Sequence, residues 1–290
     1  MAHDVTAILG RWDLTVGEGE AAFPSWVEIS QGEGGYEGRF VGIWGSSRSF
    51  RNIAIEGDHL LFSLPSQYEG FPGEQVFSGT LTGETLAGVT NTKTGSILPW
   101  TGKRQAVLTS KEVTWGEPIN LIGSHELDGW TMRSATMENN WSVVNGELVN
   151  VKVGSDIVTA AKFGDFKLDA EYSYPKDSNS GIYLRGRYEL QILDDYGQEP
   201  TSGHSGGIYG FLTPTVNAIK PFGEKNTIEI TLIGREVTVV LNGITIHDKA
   251  EIPGITGGAL DSDEGEPGPL FLQGDHGPVT FHKLVLTPAV

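Results

Sequence analysis

Cysteine is absent from the 290 residues. That removes thiol nucleophiles, thiolate metal sites and disulfides, and it leaves the redox compartment open. Basic residues are scarce: 20 Lys and Arg stand against 37 Asp and Glu, a formal net charge of −17. Nucleic acid and anionic membrane surfaces both require basic patches, so neither is an expected partner and a neutral ligand fits better. No apolar run approaches the ~18 residues of a membrane span. The opening MAHDVTAILG has neither the basic nor the hydrophobic region of a signal peptide, so the chain as given is expected to be soluble. Apolar periodicity of helical length is almost missing too, which argues against the helical fold classes.

What the chain does have is 40 glycines and 14 prolines punctuating short Val, Ile, Thr, Phe and Trp runs. This is the pattern of an all-β protein with tight turns. A chain of 290 residues exceeds the usual single domain, so two are expected. Residues 8–105 read as eight strands with short connections: GRWDLTV, PSWVEISQ, GYEGRFVGIWG, RSFRNIAIE, HLLFSLP, EQVFSGTLTG, ETLAGVTNT and SILPWTGKRQ. Sequential strands of this kind predict an N-terminal up-and-down β-barrel over 1–108, closed or nearly so. Gly10-Arg11-Trp12, with Arg104 at the end of the last strand, resembles the lipocalin-like pattern in which an Arg covers a Trp on the barrel floor. Such barrels hold small ligands, but a short one is more often filled by its own side chains, and the filled reading is favoured. Gly32, Gly34, Gly35 and Gly38 separate two strands and are hairpin glycines, not a phosphate cradle.

The stretch TSKEVTWGE, 109–117, reads as a linker, and a second domain follows over 118–290. Strands are expected near 119–122, 141–144, 147–152, 157–160, 166–174, 180–185, 188–194, 207–211, 226–233, 236–241, 244–249, 269–273 and 279–286. Asn242-Gly243 marks a type I′ hairpin turn. That many strands in one domain suits two stacked antiparallel sheets, a jelly-roll β-sandwich whose concave sheet is the natural ligand platform.

Within this domain Asn179–Asp195 (NSGIYLRGRYELQILDD) stands out. One parity is apolar (Ile182, Leu184, Tyr188, Leu190, Ile192); the other carries Tyr183, Arg185, Arg187, Glu189 and Gln191. A three-residue turn at Gly186–Tyr188 would set Arg185 against Glu189 and Tyr183 against Gln191, keeping polar on polar. A solvated outer face is the ordinary fate of such residues. Yet Arg, Glu, Gln and Tyr, in place of Lys, Thr and Ser, suit a face that grips a polyhydroxylated ligand.

Glu189, Gln191 and Asp194 fall within six residues. Residues i and i+2 on a strand sit roughly 6–7 Å apart on one face, which is carboxylate-pair spacing for glycoside chemistry. The spacing E-x-Q-x-x-D resembles the E-x-D-x-x-E of jelly-roll β-glucanases, but its middle acid is an amide and its last is shortened. A retaining mechanism with two carboxylates is therefore disfavoured. A second candidate is Gln273-Gly274-Asp275-His276-Gly277, where glycines leave a histidine reachable and imidazole transfers protons near neutrality. The acidic run GGALDSDEGEPGP, with Asp261, Asp263, Glu264 and Glu266, lacks the EF-hand frame and reads as a solvated loop before a calcium site. DYGQEPTSGHSGGIYGF places Tyr196, His204 and Tyr209 near the same end, and aromatic rings stack on sugar faces.

Taken together, Leu127-Asp128-Gly129-Trp130, Trp141–Val149, Asn179–Asp195, Gly207–Gly210, Asn217-Ala218, Leu241-Asn242-Gly243 and Gly268-Pro269 through His276-Gly277 resemble the 3-keto-disaccharide hydrolase family, in the family's order. The resemblance implies a concanavalin-like jelly roll and cleavage of glycosides oxidised to a ketone at C3. A C3 carbonyl acidifies the C2 proton, so a base can remove it and expel the C1 substituent, and water then adds across the enone. Such a site needs a base, an electrophile for the enolate oxygen and a donor for the leaving oxygen. On this sequence the base is His276 or Glu189 and the cation Arg185. Tyr183, Gln191, Asp194, Tyr209, Gln273 and Asp275 then hold substrate.

No cofactor is required. A divalent metal such as Ca2+, with Glu189, Asp194 and His276 as ligands, is the one alternative electrophile. The resemblance also implies a bacterial, periplasmic or secreted protein. The rival readings are a carbohydrate-binding protein without catalysis and a hydrolase of unoxidised glycans, since fold alone does not fix function.

Overall fold

The computed structural model describes residues 5–65, 73–108, 112–124 and 126–290, so part of the expected linker, 109–111, lies outside the described residues. The chain divides into two compact units, Met1–Val107 with Gly254–Gly265, and Leu108–Pro253 with Glu266–Val290.

The first unit is one nine-stranded antiparallel sheet: β1 (Gly10–Val16), β2 (Phe23–Gly32), β3 (Gly35–Val41), β4 (Arg48–Phe50), β5 (Asn52–Glu56), β6 (His59–Leu64), β7 (Gln75–Thr82), β8 (Thr85–Asn91) and β9 (Ile97–Arg104). Its order is β4-β3-β2-β1-β9-β8-β7-β6-β5. The expected strand RSFRNIAIE is in fact two, which raises the count from eight to nine. The two edge strands β4 and β5 are consecutive in sequence, so Arg51 alone carries the chain across the seam of a nearly closed barrel.

Alternate inward residues fill this barrel. Phe50 stacks on Phe62 and Phe62 on Phe77, with ring centroids 5.1 and 4.8 Å apart. Each such contact adds about 0.5–1.5 kcal/mol beyond simple burial. At one end Trp12 is fully buried and donates its indole N–H to the Ile8 carbonyl at 2.8 Å. The Arg104 guanidinium lies 3.9 Å from the Trp12 ring centroid.

The second unit holds two sheets. The larger contains β10 (Ile119–Asn120), β12 (Trp141–Val144), β13 (Glu147–Asn150), β15 (Phe166–Ser173), β18 (Asn226–Ile233), β19 (Glu236–Leu241), β20 (Ile244–Glu251) and β22 (Val279–Pro288). The smaller, ordered β11-β14-β21-β16-β17, contains β11 (Trp130–Met132), β14 (Ile157–Thr159), β16 (Asn179–Leu184), β17 (Tyr188–Leu193) and β21 (Phe271–Leu272). This is the expected antiparallel jelly-roll sandwich. Asn242 and Gly243 both have positive φ, 52° and 80°, as the type I′ turn requires. The strand expected at 207–211 is instead a compact loop, joined to β17 by a single bridge from Ile208 to Leu190.

Alternation explains the sandwich. β15 and β18 bury every second residue, as a sheet with one wet face must. β16 and β17 are buried on both parities. Their apolar parity enters the core, while the parity bearing Tyr183, Glu189 and Gln191 is sheltered as well. It is not the solvated outer face of an ordinary hairpin.

Candidate functional site

The site is built on three neighbouring strands. Phe271 on β21 pairs with Tyr183 on β16, and Tyr183 pairs with Glu189 on β17, so these three share one face in register. In the next row the Gln273 backbone N–H donates to the Gly181 carbonyl at 3.0 Å, and Gly181 pairs with Gln191. Phe271 stacks on Tyr183 with centroids 4.1 Å apart, and the Tyr183 hydroxyl donates to Glu189 Oε2 at 2.9 Å. A Cβ at Gly181 would meet Glu189 Oε1 at 2.7 Å, so only glycine leaves that oxygen clear.

The turn joining β16 to β17 differs from expectation. It spans Arg185-Gly186-Arg187, with Leu184 opposite Tyr188, so Tyr183 faces Glu189 and not Gln191. The turn sits one residue earlier than expected, which moves each cross-strand partner by two, and Arg185 and Gly186 in it both take positive φ, 52° and 68°. The left-handed backbone swings Arg185 off the polar face. Its guanidinium donates to the Gly234 carbonyl and lies 5.3 Å from the ring centroid of Tyr188, a residue of the opposite parity. The structure therefore places Arg185 apart from Glu189, and the expectation that it serves as the cation there is corrected.

The cation near this face is Arg133, which sequence reasoning missed. It lies 4.9 Å from the Phe271 ring centroid and pairs with Asp156 Oδ2 at 3.3 Å. Asp156, also missed, is buried at the foot of β14. Its Oδ1 accepts the amides of Gly274 at 2.8 Å and Asp275 at 3.1 Å. One carboxylate thus fixes the loop that carries Asp275 and His276. Asn150 donates to the carbonyls of Gly274 and Gly277 and braces the same loop. Gly274 packs against Trp141 and Ser155, and Gly277 against Asn179, so these glycines serve close packing rather than access.

At the loop tip the Asp275 carboxylate accepts from His276 Nδ1, which leaves Nε2 as the outward nitrogen. The His276 side chain is 52% exposed, whereas Glu189 is only 3% exposed. The pair therefore spans a gradient from solvent to interior.

Electrostatics follow the same gradient. Burial pushes the Glu189 carboxyl up to about 8, while the Tyr183 hydroxyl and the His276 charge oppose that rise. Burial together with the neighbouring Glu189 pushes the Tyr183 phenol far above its ordinary range. The Asp275 hydrogen bond raises His276, and the charges of Asp275, Glu189 and Asp156 add to it. Burial raises Asp156 as well, against the two amides and Arg133. Buried Glu189 and the loop-tip His276 thus act on one another's charge, each shifting the other's protonation.

The remaining predicted residues fall as follows. Gln191 and Gln273 lie on the face, buried. Asp194 lies beyond the end of β17 and accepts the Asp177 amide at 2.8 Å, so it is a turn residue. Tyr209 runs beside β17, its amide donating to the Glu189 carbonyl at 3.0 Å. His204 is tied into its own loop by the Glu199 carbonyl at 2.7 Å. Glu264, in the loop expected to be solvated, is instead buried in the first unit and accepts from Gln105 Nε2 at 2.6 Å. Among the described residues no three His, Cys, Asp or Glu side chains are grouped to hold a metal ion, and with Asp194 engaged elsewhere the Glu189–Asp194–His276 ligand set is not assembled. Also among the described residues, no helix is long and apolar enough to cross a membrane.

The profile described as the 3-keto-alpha-glucoside-1,2-lyase-like domain matches residues 117–287. Two solved structures from Parabacteroides distasonis, each provisionally described as a glycosyl hydrolase, are similar. One has 27% identity and TM-score 0.49, covering 62% of this chain and 92% of its own. The other has 20% identity and TM-score 0.46, covering 60% and 94%. No curated protein matches the chain.

Proposed function

From membership of the 3-keto-alpha-glucoside-1,2-lyase-like domain family, to which this chain belongs through residues 117–287, we propose that it cleaves 3-keto-glycosides by elimination and water addition. The family is carbohydrate-active; the keto-dependent mechanism is the proposal. Glu189 in its ionised form takes the C2 proton. The electron pair moves toward the C3 carbonyl, and an enolate forms with the Tyr183 hydroxyl and the Arg133 charge on the same side. The C1–O bond then breaks as protonated His276 gives its proton to the leaving oxygen. Water adds at C1 of the resulting enone and a proton returns to C2, so the net change is hydrolysis; release of the enone gives the lyase half-reaction alone.

The observation that carries this reading is the buried Glu189, hydrogen-bonded to Tyr183 at 2.9 Å and electrostatically coupled to the Asp275–His276 pair. A carboxylate desolvated to a pKa of about 8 is a far stronger base than an exposed one, as removal of a carbon-bound proton demands. Asp156, a second buried carboxylate whose charge reaches Glu189, is taken up by the Gly274 and Asp275 amides and by Arg133.

Incubation in deuterium oxide tests the reading. We expect aglycone release from methyl 3-keto-α-glucoside with deuterium entering C2, and no release from unoxidised methyl α-glucoside. Release from the unoxidised sugar would overturn the keto requirement, and binding of both sugars without turnover would establish a lectin.

A further inference from the structure

We propose that the first unit carries a saccharide-binding cup at the open end of its barrel, separate from the Glu189 site. The end at Trp12 is sealed by the Arg104 guanidinium above its ring. The opposite end, where β2 starts, β3 ends and β7 starts, opens into a cavity of about 420 Å³. That volume falls within the ~300–1,000 Å³ typical of small-ligand sites.

The cup has two chemically distinct walls. Phe23, Phe40, Ile43, Trp44 and Leu98 make an apolar side rich in aromatic rings; Gln75, Asn91, Thr92 and Lys93 make a polar side. Trp44 is the telling residue, because 48% of it is exposed on a loop that is otherwise held firmly. The Gly258 amide donates to the Ile43 carbonyl at 2.9 Å, and Gly257 packs so tightly on the backbone at Gly45 that no Cβ fits between them. A large indole kept uncovered on a braced loop, with no aromatic or cationic partner among the described residues, is a stacking surface.

A pyranose ring matches this arrangement: its C–H face lies on the indole while its hydroxyls reach the opposite wall. A purely apolar ligand would cover the Lys93 ammonium and the spare hydrogen-bonding capacity of Gln75 and Thr92, which otherwise meet only Thr90 and Thr94 among the described residues. The choice of a neutral saccharide over other two-sided ligands rests on the family to which the chain belongs.

The test uses the full chain and the indole N–H signals of its tryptophans by NMR. The Trp44 signal is identified by its loss in Trp44→Phe, and maltose, methyl α-glucoside and a medium-chain fatty acid are titrated in turn. The saccharides are expected to shift the Trp44 signal, and Trp44→Ala is expected to weaken saccharide binding in the first unit about tenfold, followed through the backbone amides of Thr92 and Lys93. Trp44→Phe retains part of the affinity by the same readout. A Trp44 signal that no saccharide moves, or that only the fatty acid moves, overturns the proposal. Turnover of the keto sugar is measured on the same samples, so failure of this cup and failure of the Glu189 mechanism remain distinguishable.

Discussion

A carboxyl group at position 189 sets folding against chemistry. Its ordinary value is 4.5 and burial lifts it to about 8. The unfolded chain therefore releases this proton long before the folded chain does. The stability Glu189 contributes is complete below pH 4.5 and is lost progressively as the pH rises to about 8. At ~1.36 kcal/mol per unit the swing is on the order of 4–5 kcal/mol. Glu189→Gln keeps an acceptor for the Tyr183 hydroxyl and removes the titration. Urea unfolding should show the variant more stable than wild type near pH 8 and nearly equal near pH 4. Its kcat on a 3-keto-glucoside should fall by about 10²–10⁴. A variant less stable at both pH values would mean that the carboxyl holds the fold together.

His276 titrates against the same partner. Glu189 must be ionised and His276 protonated, so kcat/KM should rise with pH through the Glu189 value and fall as His276 deprotonates. The His276 charge lowers the Glu189 pKa. His276→Ala should therefore abolish the descending limb and move the ascending limb to higher pH, and a pH–rate profile checks both. The residue types of this pair were legible in the sequence, as a polar strand parity and a glycine-flanked histidine. Asp156 and Arg133 were not, because each is a lone charge far from Glu189 in the chain, and only sheet order places them on its face. Asp156→Ala would strand two loop amides and Arg133, at a cost of about 1–3 kcal/mol. Asp156→Asn retains an acceptor and should keep most of the activity lost in the alanine variant.

At the scale of elements, the β16–β17 hairpin separates stability from activity through two glycines. Gly186 is a turn residue with φ of 68°, and an alanine there strains the backbone without touching the polar face. Gly186→Ala should cost about 1 kcal/mol in denaturant unfolding, with kcat/KM little changed. Gly181 has ordinary backbone angles, but its missing Cβ leaves room for Glu189 Oε1. Gly181→Ala should lower kcat/KM strongly along with a 1–3 kcal/mol loss of stability from overpacking. Equal effects on activity from the two variants would argue against the carboxylate as the reacting group. The hairpin's existence and the parity of its faces were readable from alternation. Its register was not, since moving a three-residue turn by one residue shifts the pairing by two, which preserves polar-on-polar pairing, and the pattern is blind to it. What decided the register was the left-handed conformation adopted by Arg185, a residue that ordinarily avoids it.

For the molecule as a whole, the boundary expected between 1–108 and 118–290 treats each domain as one continuous segment. The fold instead returns Gly254–Gly265 from the far end of the chain to the barrel unit. Composition marked that stretch only as a glycine-rich acidic loop, because long-range packing of a loop leaves no periodic trace. Its contacts are specific: Gly254 lies so close to the Trp26 indole that no Cβ fits, Gly257 abuts the backbone at Gly45, and Glu264 is buried against Gln105. A barrel expressed as residues 1–108 alone would expose the Trp26 surface that Gly254 covers and lose the partners of Gly45 and Gln105. It should therefore unfold at a lower temperature than the barrel transition of the full chain, and a peptide of residues 252–267 added in trans should raise that temperature. Differential scanning calorimetry reads both. If the isolated barrel matches the full chain and ignores the peptide, the returning segment is a passive covering and the two sequence-defined domains are sufficient units. If the peptide restores stability, circular permutants and truncations of this family of folds must carry that segment with the barrel, whatever their order along the chain.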